Sequence, residues 1–299
     1  MRIRTKIRNL IVVMLSVICI IMIIPSTKVE ASSVTVYGGH TSMGNAYNWG
    51  SYSQYNSILV VLPANENDFW ISVNLPSDSH VFARSSYDSD YLGMVLESWT
   101  STSIIESHDS AVSVYDPNTV IPFLAVALDN NGSSTDTYYI HVNRGLNYSG
   151  IMYFTISMGE RFKTGHGVFP FSGTASNPGN NPFSYSGRDS SVLTLNLSTN
   201  NNIPPGAIVT SVSTSGTQSP SQGNVHHMIM PANPGTWYTS NYSSNSSGSY
   251  SISVTDEIAV KQVWSFKYNA MATAKSTMKN VQITFDWRYD IANNGYHTF

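Results

Sequence analysis

Apolar and polar residues alternate with period two along much of the chain. This is the pattern of strands, whose successive side chains point to opposite faces of a sheet. Phe69, Ile71, Val73 and Leu75 alternate with Trp70, Ser72 and Asn74. Tyr138, Ile140 and Val142 alternate with Tyr139 and His141, and Met152, Phe154, Ile156 and Met158 with Tyr153, Thr155 and Ser157. Val281, Ile283, Phe285, Trp287 and Tyr289 alternate with Gln282, Thr284, Asp286, Arg288 and Asp290. A further strand over Ile258 to Tyr268 carries Val260, Trp264 and Phe266 on one face and Lys261, Ser265 and Lys267 on the other; Gln262 and Val263 break its rule. Gly, Asn, Asp, Pro and Ser clusters separate the runs, as turns require. Asn269 to Lys279 is the one helix candidate, and its threonines argue against it. The pattern predicts an all-β protein of two jelly-roll-like β-sandwich domains.

The first 31 residues obey a different logic. Arg2, Arg4, Lys6 and Arg8 precede an apolar run from Leu10 to Ile24 broken only by Ser16, and Val29-Glu30-Ala31 ends in a small residue. Basic, apolar and small-residue regions in that order predict a signal peptide cleaved after Ala31. A helix of about 15 residues is also short for the ~30 Å hydrocarbon core of a bilayer. Cys19 lies inside the apolar run behind Ile18, which argues against a lipoprotein. Arg161 to Asp189, with Pro170, Pro178, Gly179, Asn180, Asn181 and Pro182, is the least patterned stretch and reads as a linker or long loop. The expected organisation is a signal peptide at 1–31, a sandwich at 32–160, a linker at 161–189 and a second sandwich at 190–299. Tyr238 to Tyr250, rich in Ser, Asn and Tyr, is expected to be an exposed loop.

Cleavage changes the charge. Residues 1–31 hold five of the 15 basic and one of the 18 acidic side chains, which leaves 10 and 17 and a formal net charge of −7. The single cysteine goes too, so the mature chain has no disulfide, no thiol chemistry and no Cys-based zinc site. A mildly acidic chain with 11% charged residues lacks the basic patches that nucleic-acid binding needs. No later segment is apolar enough to span a bilayer, and the expected location is secreted or at the cell surface.

Within the first half, Asn45-Ala46 is followed by Leu62-Pro63-Ala64-Asn65-Glu66-Asn67-Asp68-Phe69, an acidic turn leading into an aromatic strand. The alternating run Ile71 to Leu75 comes next, then Thr137-Tyr138-Tyr139-Ile140-His141-Val142 and Tyr153-Phe154-Thr155-Ile156. This succession resembles the bacterial pre-peptidase C-terminal domain, a small β-sandwich appended to secreted enzymes. The resemblance covers under half of the mature chain, and no peptidase domain precedes it. It implies a noncatalytic module linked to substrate binding or to enzyme secretion and maturation. It transfers no catalytic residue.

Catalytic signatures are absent from the sequence: there is no Gly-x-Ser-x-Gly elbow, no His-Glu-x-x-His helix and no phosphate loop. His226 and His227 are adjacent on an expected strand, so they face opposite sides and do not easily share a metal. The histidines at 40, 80, 108, 141, 166 and 297 are scattered, and only folding could gather them. Asp286, Arg288 and Asp290 share one strand face, with the two aspartates about 13 Å apart at ~3.3 Å per residue. That spacing, with Arg288 between them, fits a solvated sheet face better than a glycosidase pair. Calcium is a candidate cofactor: Asp129, Asn131 and Asp136 around an Asn-Gly turn, and Asp88 with Asp90, offer the oxygen ligands hard cations take. An Asn-Gly pair is equally an ordinary hairpin turn. Trp49, Tyr52 and Tyr55, and Trp237, Tyr238 and Tyr242, are aromatics among short polar neighbours, suited to stacking on sugars or anchoring a protein surface. Aromatics also plug the ends of sandwiches, and for any single one of these residues that is the favoured reading. The leading expectation is a non-catalytic binding protein presenting loops to an extracellular polysaccharide or protein. The alternatives are a hydrolase assembled from scattered Asp, His and Tyr, and a self-associating matrix protein pairing at exposed strand edges.

Overall fold

A computed structural model describes residues 34–53, 57–88, 90–110, 114–115, 122–146, 148–242, 247–254 and 257–296. The expected signal peptide and Tyr55 lie outside the described residues. The first half supplies β1 (Val34–Tyr37), β2 (Tyr47–Ser51), β3 (Ser57–Leu62), β4 (Asp68–Leu75), β5 (Ser79–Ser86) and β6 (Val95–Trp99). It continues with β7 (Ile104–Asp109), β8 (Val114–Tyr115), β9 (Pro122–Asn130), β10 (Asp136–Asn143) and β11 (Met152–Glu160). Sheet A has the order β1-β3-β11-β5-β9-β8 and sheet B the order β2-β4-β10-β6-β7. β1 and β2 run parallel to β3 and β4; the other pairs are antiparallel. The alternation explains the packing. Phe69, Ile71, Val73 and Leu75 of β4 and Ile140 and Val142 of β10 meet Phe154 and Ile156 of β11 in one buried core. Full burial of each such side chain contributes about 1.5–3 kcal/mol.

The second half supplies β12 (Phe162–Pro170), β13 (Ala175–Asn177), β14 (Arg188–Asp189), β15 (Leu193–Asn196) and β16 (Ile208–Ser219). β17 (Val225–Pro231), β18 (Tyr238–Thr239), β19 (Ser247–Ser251), β20 (Val263–Ala270) and β21 (Ser276–Asp290) complete it. Sheet C runs β12-β21-β16-β19 with β13 also on β21, and sheet D runs β14-β20-β17-β18 with β15 also on β20. Their inner faces close on Trp264, Phe266, Ile283 and Phe285, with the Trp264 and Phe285 rings 4.7 Å apart. The chain is thus all-β, its sheets packed as sandwiches. No helix among the described residues is long and apolar enough to cross a membrane.

Four local expectations change. Residues 161–189 contain β12, β13 and β14 rather than a linker. β12 pairs with β21 over nine residues, yet Gly165 and Gly167 occupy two of its inward positions and hide the apolar alternation. A Cβ at Gly165 would stand 2.4 Å from the Trp287 indole, so the missing side chains make room for that ring. The helix candidate at 269–279 is the end of β20, a turn and the start of β21. The strand expected from Ile258 begins at Val263, where Gln262 and Val263 had broken the pattern. Within the expected loop 238–250, Tyr238–Thr239 and Ser247–Ser251 are strands.

The two halves meet on sheet A. Phe123 to Leu128 of β9 are buried on both faces: Leu124, Val126 and Leu128 join the first core, whereas Phe123 and Ala125, with Phe82 of β5, join the second. Arg161, between β11 and β12, clamps this seam. Its guanidinium donates to Asp129 Oδ2 at 2.6 Å and to both oxygens of Asp290, from Nε to Oδ1 at 3.0 Å and from Nη2 to Oδ2 at 2.6 Å. The Asp290 carboxylate, and then Asp129, raise the guanidinium pKa above its already high value despite burial. Such bidentate charged bonds fix geometry as well as adding energy.

Candidate functional site

The outer face of sheet B collects the side chains that alternation turns away from the core. β4 contributes Asp68 and Trp70, β10 His141 and Asn143, β6 Glu97 and Trp99, and β7 Ser107. Register aligns them: His141 lies opposite Trp70 on one side and Glu97 on the other, and Glu97 lies opposite Ser107. His141 Nδ1 sits 2.8 Å from Glu97 Oε2 and its Nε2 2.9 Å from Asp68 Oδ1. The Trp70 ring stacks on His141 at 4.2 Å, and Trp99 packs against Trp70 at 5.5 Å.

The acids are held by neighbours. Trp99 Nε1 donates to Glu97 Oε2 at 2.8 Å and Ser107 Oγ to Oε1 at 3.2 Å. Burial alone would raise the Glu97 carboxyl, but the bonds from His141, Trp99 and Ser107 hold it below the usual carboxylate range. Asn143 Nδ2 donates to Asp68 Oδ1 at 2.8 Å, and no described residue bonds Asp68 Oδ2. The face therefore offers two indoles beside carboxylates with remaining acceptor capacity. It can stack on an apolar ring face and accept hydrogen bonds from hydroxyls.

The aromatic residues singled out in the sequence have mixed placements. Trp49 and Tyr52 pack against the first core from β2 and the turn after it. Tyr238 pairs with Ile229 and packs against the second core. Trp237 lies beneath the Lys267 ammonium, 4.4 Å from its ring centre, and exposed Tyr242 stands edge-on to His226 at 4.3 Å. His226 and His227 do face opposite sides, but both are buried. His227 is in the inter-sheet core, bonded to Thr214 Oγ1 at 2.8 Å and stacked on Tyr250 at 3.7 Å.

Of the calcium candidates, Asp129 is bound to Arg161 and to His80 Nδ1, the latter at 3.0 Å. Asn131 and Asp136 are exposed, and Asp136 Oδ1 accepts from Thr137 N. The turn is ordered by Asn130, whose amide donates to Leu75, Pro76 and Ser134 carbonyls. Asp88 Oδ1 accepts from the Asp90 backbone at 3.1 Å. No three His, Cys, Asp or Glu side chains gather around a metal-sized site among the described residues.

A cleft of about 360 Å³ at the seam gathers Glu106, His108 and Tyr296 among Phe123, Leu124 and Ala125. Glu106 Oε1 takes His108 Nε2 at 2.7 Å, and Oε2 takes Tyr296 Oη at 3.1 Å and Ala127 N at 2.5 Å. Burial raises the Tyr296 phenol pKa, and the Glu106 charge adds to the shift. No Ser, Thr or Cys lines this cleft among the described residues.

Sequence reasoning missed Asp68, Trp70, Glu97, Trp99 and His141 as a group. Trp70 and His141 did carry a signal: both are aromatic rings on the polar side of an alternating strand. The chain is 41% identical over 262 residues to "Uncharacterized protein YbdN" of Bacillus subtilis (strain 168), spanning 88% of this chain and 90% of the relative. The chain belongs to the YbdN family. No protein-family model matches it. Among solved structures, the pre-peptidase C-terminal domain of a Bacillus anthracis collagenase is 13% identical, covering 38% of the YbdN-family chain and 93% of its own at a TM-score of 0.28. The surface-associated copper-binding protein CorA of Methylomicrobium album BG8 is 9% identical, covering 43% and 98% respectively at 0.24. Likenesses at these TM-scores carry no functional argument.

Proposed function

We propose that the chain is an extracellular, non-catalytic binding protein that holds a neutral saccharide on the outer face of sheet B. One observation carries the reading: Trp70, His141 and Glu97 form a cross-strand row roofed by Trp99, with Asp68 Oδ2 open beside it. Sugars present apolar C–H faces to indoles and hydroxyl donors to carboxylates, which is the mixture this face supplies. Export rests on the basic, apolar and small-residue order of residues 1–31. The resemblance of the first half to the pre-peptidase C-terminal domain points the same way, to a noncatalytic module.

The test is binding of the purified mature chain to immobilised glycans and extracellular-matrix proteins, with and without calcium. Saturable glycan binding that Trp70→Ala weakens about tenfold, roughly 1.4 kcal/mol, is the expected result. Binding to matrix proteins alone, or glycan binding indifferent to Trp70, would sink the saccharide reading. A calcium requirement would assign the cation to Asp88–Asp90 or to the turn ending at Asp136. The paired Glu106 and His108 in the seam cleft favour a hydrolase as the second reading; release of reducing ends from a bound glycan would support it.

A further inference from the structure

The outer face of sheet A divides in two. On the β5–β9 side, Phe82, Phe123 and Ala125 join the core of the second half. On the β1–β3–β11 side the face is open, with Tyr37 69% and Tyr153 54% exposed.

Register sets the open side in rows. Val61 of β3 lies opposite Tyr37 of β1 on one side and Tyr153 of β11 on the other. Leu59 likewise lies between Thr35 and Thr155, and Ser57 lies opposite Ser157. Neighbouring strands are about 4.8 Å apart, so the two tyrosines stand about 10 Å apart with an aliphatic floor between them. Leu59 and Val61 are half-buried, while the alternate residues Ile58 and Val60 fill the first core.

The backbone under both rings is held. Where the pairing of β11 with β5 ends, Tyr153 N donates to Tyr91 Oη at 3.1 Å. Gly38 N donates to the Val61 carbonyl at 3.0 Å and carries the β1 pairing past Tyr37. Neither tyrosine hydroxyl bonds a described residue. No charged side chain stands in the rows. Arg84 of the adjoining β5, opposite Ser157, lies over the Phe123 ring at 4.0 Å and belongs to the seam.

The size of the patch narrows its occupant. Three strands by three rows cover roughly 15 Å by 15 Å, on the order of 200 Å² of sheet, against about 800 Å² per partner in a stable protein interface. That is too little for a second copy of the chain and enough for a polymer one sugar wide.

We propose that this face is a docking platform for an extended, uncharged polysaccharide of β-1,4-linked pyranoses. In such a chain every second sugar turns the same face the same way, so one disaccharide unit spans the interval from Tyr37 to Tyr153. Each ring stacks on the apolar C–H face of one sugar, and the free phenols, with Thr35 and Thr155, meet the sugar hydroxyls. A charged sugar would lose hydration here and gain no partner. The platform shares its ligand class with the face of sheet B but none of its residues, and it lies on the opposite side of the same sandwich.

The experiment uses the ¹³C-tyrosine-labelled mature chain carrying Trp70→Ala, so that sheet B is disabled. It is titrated with cellohexaose, N-acetylchitohexaose and β-1,4-mannohexaose, and with α-linked, coiled maltohexaose as the contrast. At least one β-1,4 sugar is expected to shift the Tyr37 and Tyr153 ring resonances together and saturably, and maltohexaose to shift neither. Tyr37→Ala and Tyr153→Ala, both at exposed positions, are each expected to weaken that binding about tenfold. Silence at both rings with every sugar, or an equal response to maltohexaose, would overturn the proposal. Ring shifts that follow protein concentration with no sugar present would also overturn it, by giving the face to a second copy. A saturable tyrosine response upholds this platform whatever becomes of the sheet B reading, because Trp70 is already removed. Glycan binding by the unsubstituted chain that Trp70→Ala abolishes would uphold sheet B and reject the platform.

Discussion

Sheets B and D each turn a row of polar and aromatic side chains outward with a histidine in it, and the two rows end differently. On sheet B, His141 has an acceptor at each nitrogen, Glu97 at 2.8 Å and Asp68 at 2.9 Å, and Trp70 stacked on its ring. On sheet D the acid of the row, Asp189, is already taken by Lys267 and Asn269, and His226 Nδ1 has no partner among the described residues. The difference lies in which residue flanks the imidazole. A carboxylate accepts from several donors at once and completes the row. An amide committed to its other neighbour passes an unmet acceptor along it. The completed row presents ring faces and spare lone pairs; the incomplete one keeps its unmet amide oxygen and imidazole nitrogen sealed beneath the surface.

The sharpest way to break the contrast is to undo the completed row. Glu97→Gln replaces the group that takes His141, Trp99 and Ser107 together. Charged hydrogen bonds contribute about 1.5–3 kcal/mol each net; glutamine keeps one neutral oxygen for His141 and Trp99 but loses the charge and sets an NH2 where Ser107 donates. We expect a loss of about 2 kcal/mol in urea unfolding at neutral pH. A change below about 0.5 kcal/mol would show that the row is surface decoration. The Glu97 pKa is lowered on folding from 4.5, so its stabilisation is complete above that pH and fades as pH falls through the folded value. In Glu97→Gln that component of acid destabilisation should be missing.

Beneath the row on sheet D, His227 gives a pH effect of the next size. Burial first, and the neighbouring His226 second, lower its pKa from 6.5 to about 3. Between those values the unfolded chain binds a proton that the folded chain refuses, so stability falls as pH falls. The slope approaches about 1.4 kcal/mol per pH unit. The window from 6.5 to 4.5 isolates it from the acids, whose reference values begin at 4.5 and below. Burial lowers His226 as well and adds to the same slope. His227→Gln should flatten the dependence of the urea midpoint in that window, whatever its effect at neutral pH. An unchanged slope would mean that His227 titrates normally and is not sealed in the core.

Alternation alone made the contents of each face legible but not the rows. Phe69 to Leu75 and Val281 to Tyr289 declared both a strand and its buried side, because a half-buried strand writes its two environments on alternate residues. The register that brings His141 to Asp68, 73 residues away, is written nowhere locally. It emerges when β4, β10 and β6 pair. β12 was illegible for the opposite reason: Gly165 and Gly167 leave their inward space to the Trp287 ring, so the apolar volume belongs to another strand. Trp49 and Tyr52 show how one setting serves two readings. Their Gly/Ser neighbours suited a binding loop or the plug of a sandwich end, and they pack, partly buried, on the first core. Short polar neighbours mark turns, and turns also close the ends of sandwiches.

The smallest expected effect tests whether burial or pairing separates these histidines. His166 of β12 lies opposite Asp286 of β21, with Nδ1 2.7 Å from Oδ1, as short as any contact that His141 makes. Residue types and cross-strand geometry match sheet B, but here the side chains are 61% and 52% exposed, against 12% for His141 and 16% for Glu97. Water competes for every bond in the exposed pair, and exposed ion pairs contribute about 0–1 kcal/mol. The His166 hydrogen bond does lower the Asp286 pKa, but in an environment that screens its effect on stability. His166→Ala should therefore move the urea midpoint by less than about 0.5 kcal/mol, and the residual should shrink in high salt. A loss equal to that of Glu97→Gln would mean that pairing alone sets the energy. The contrast between the two outer faces would then need another cause than burial.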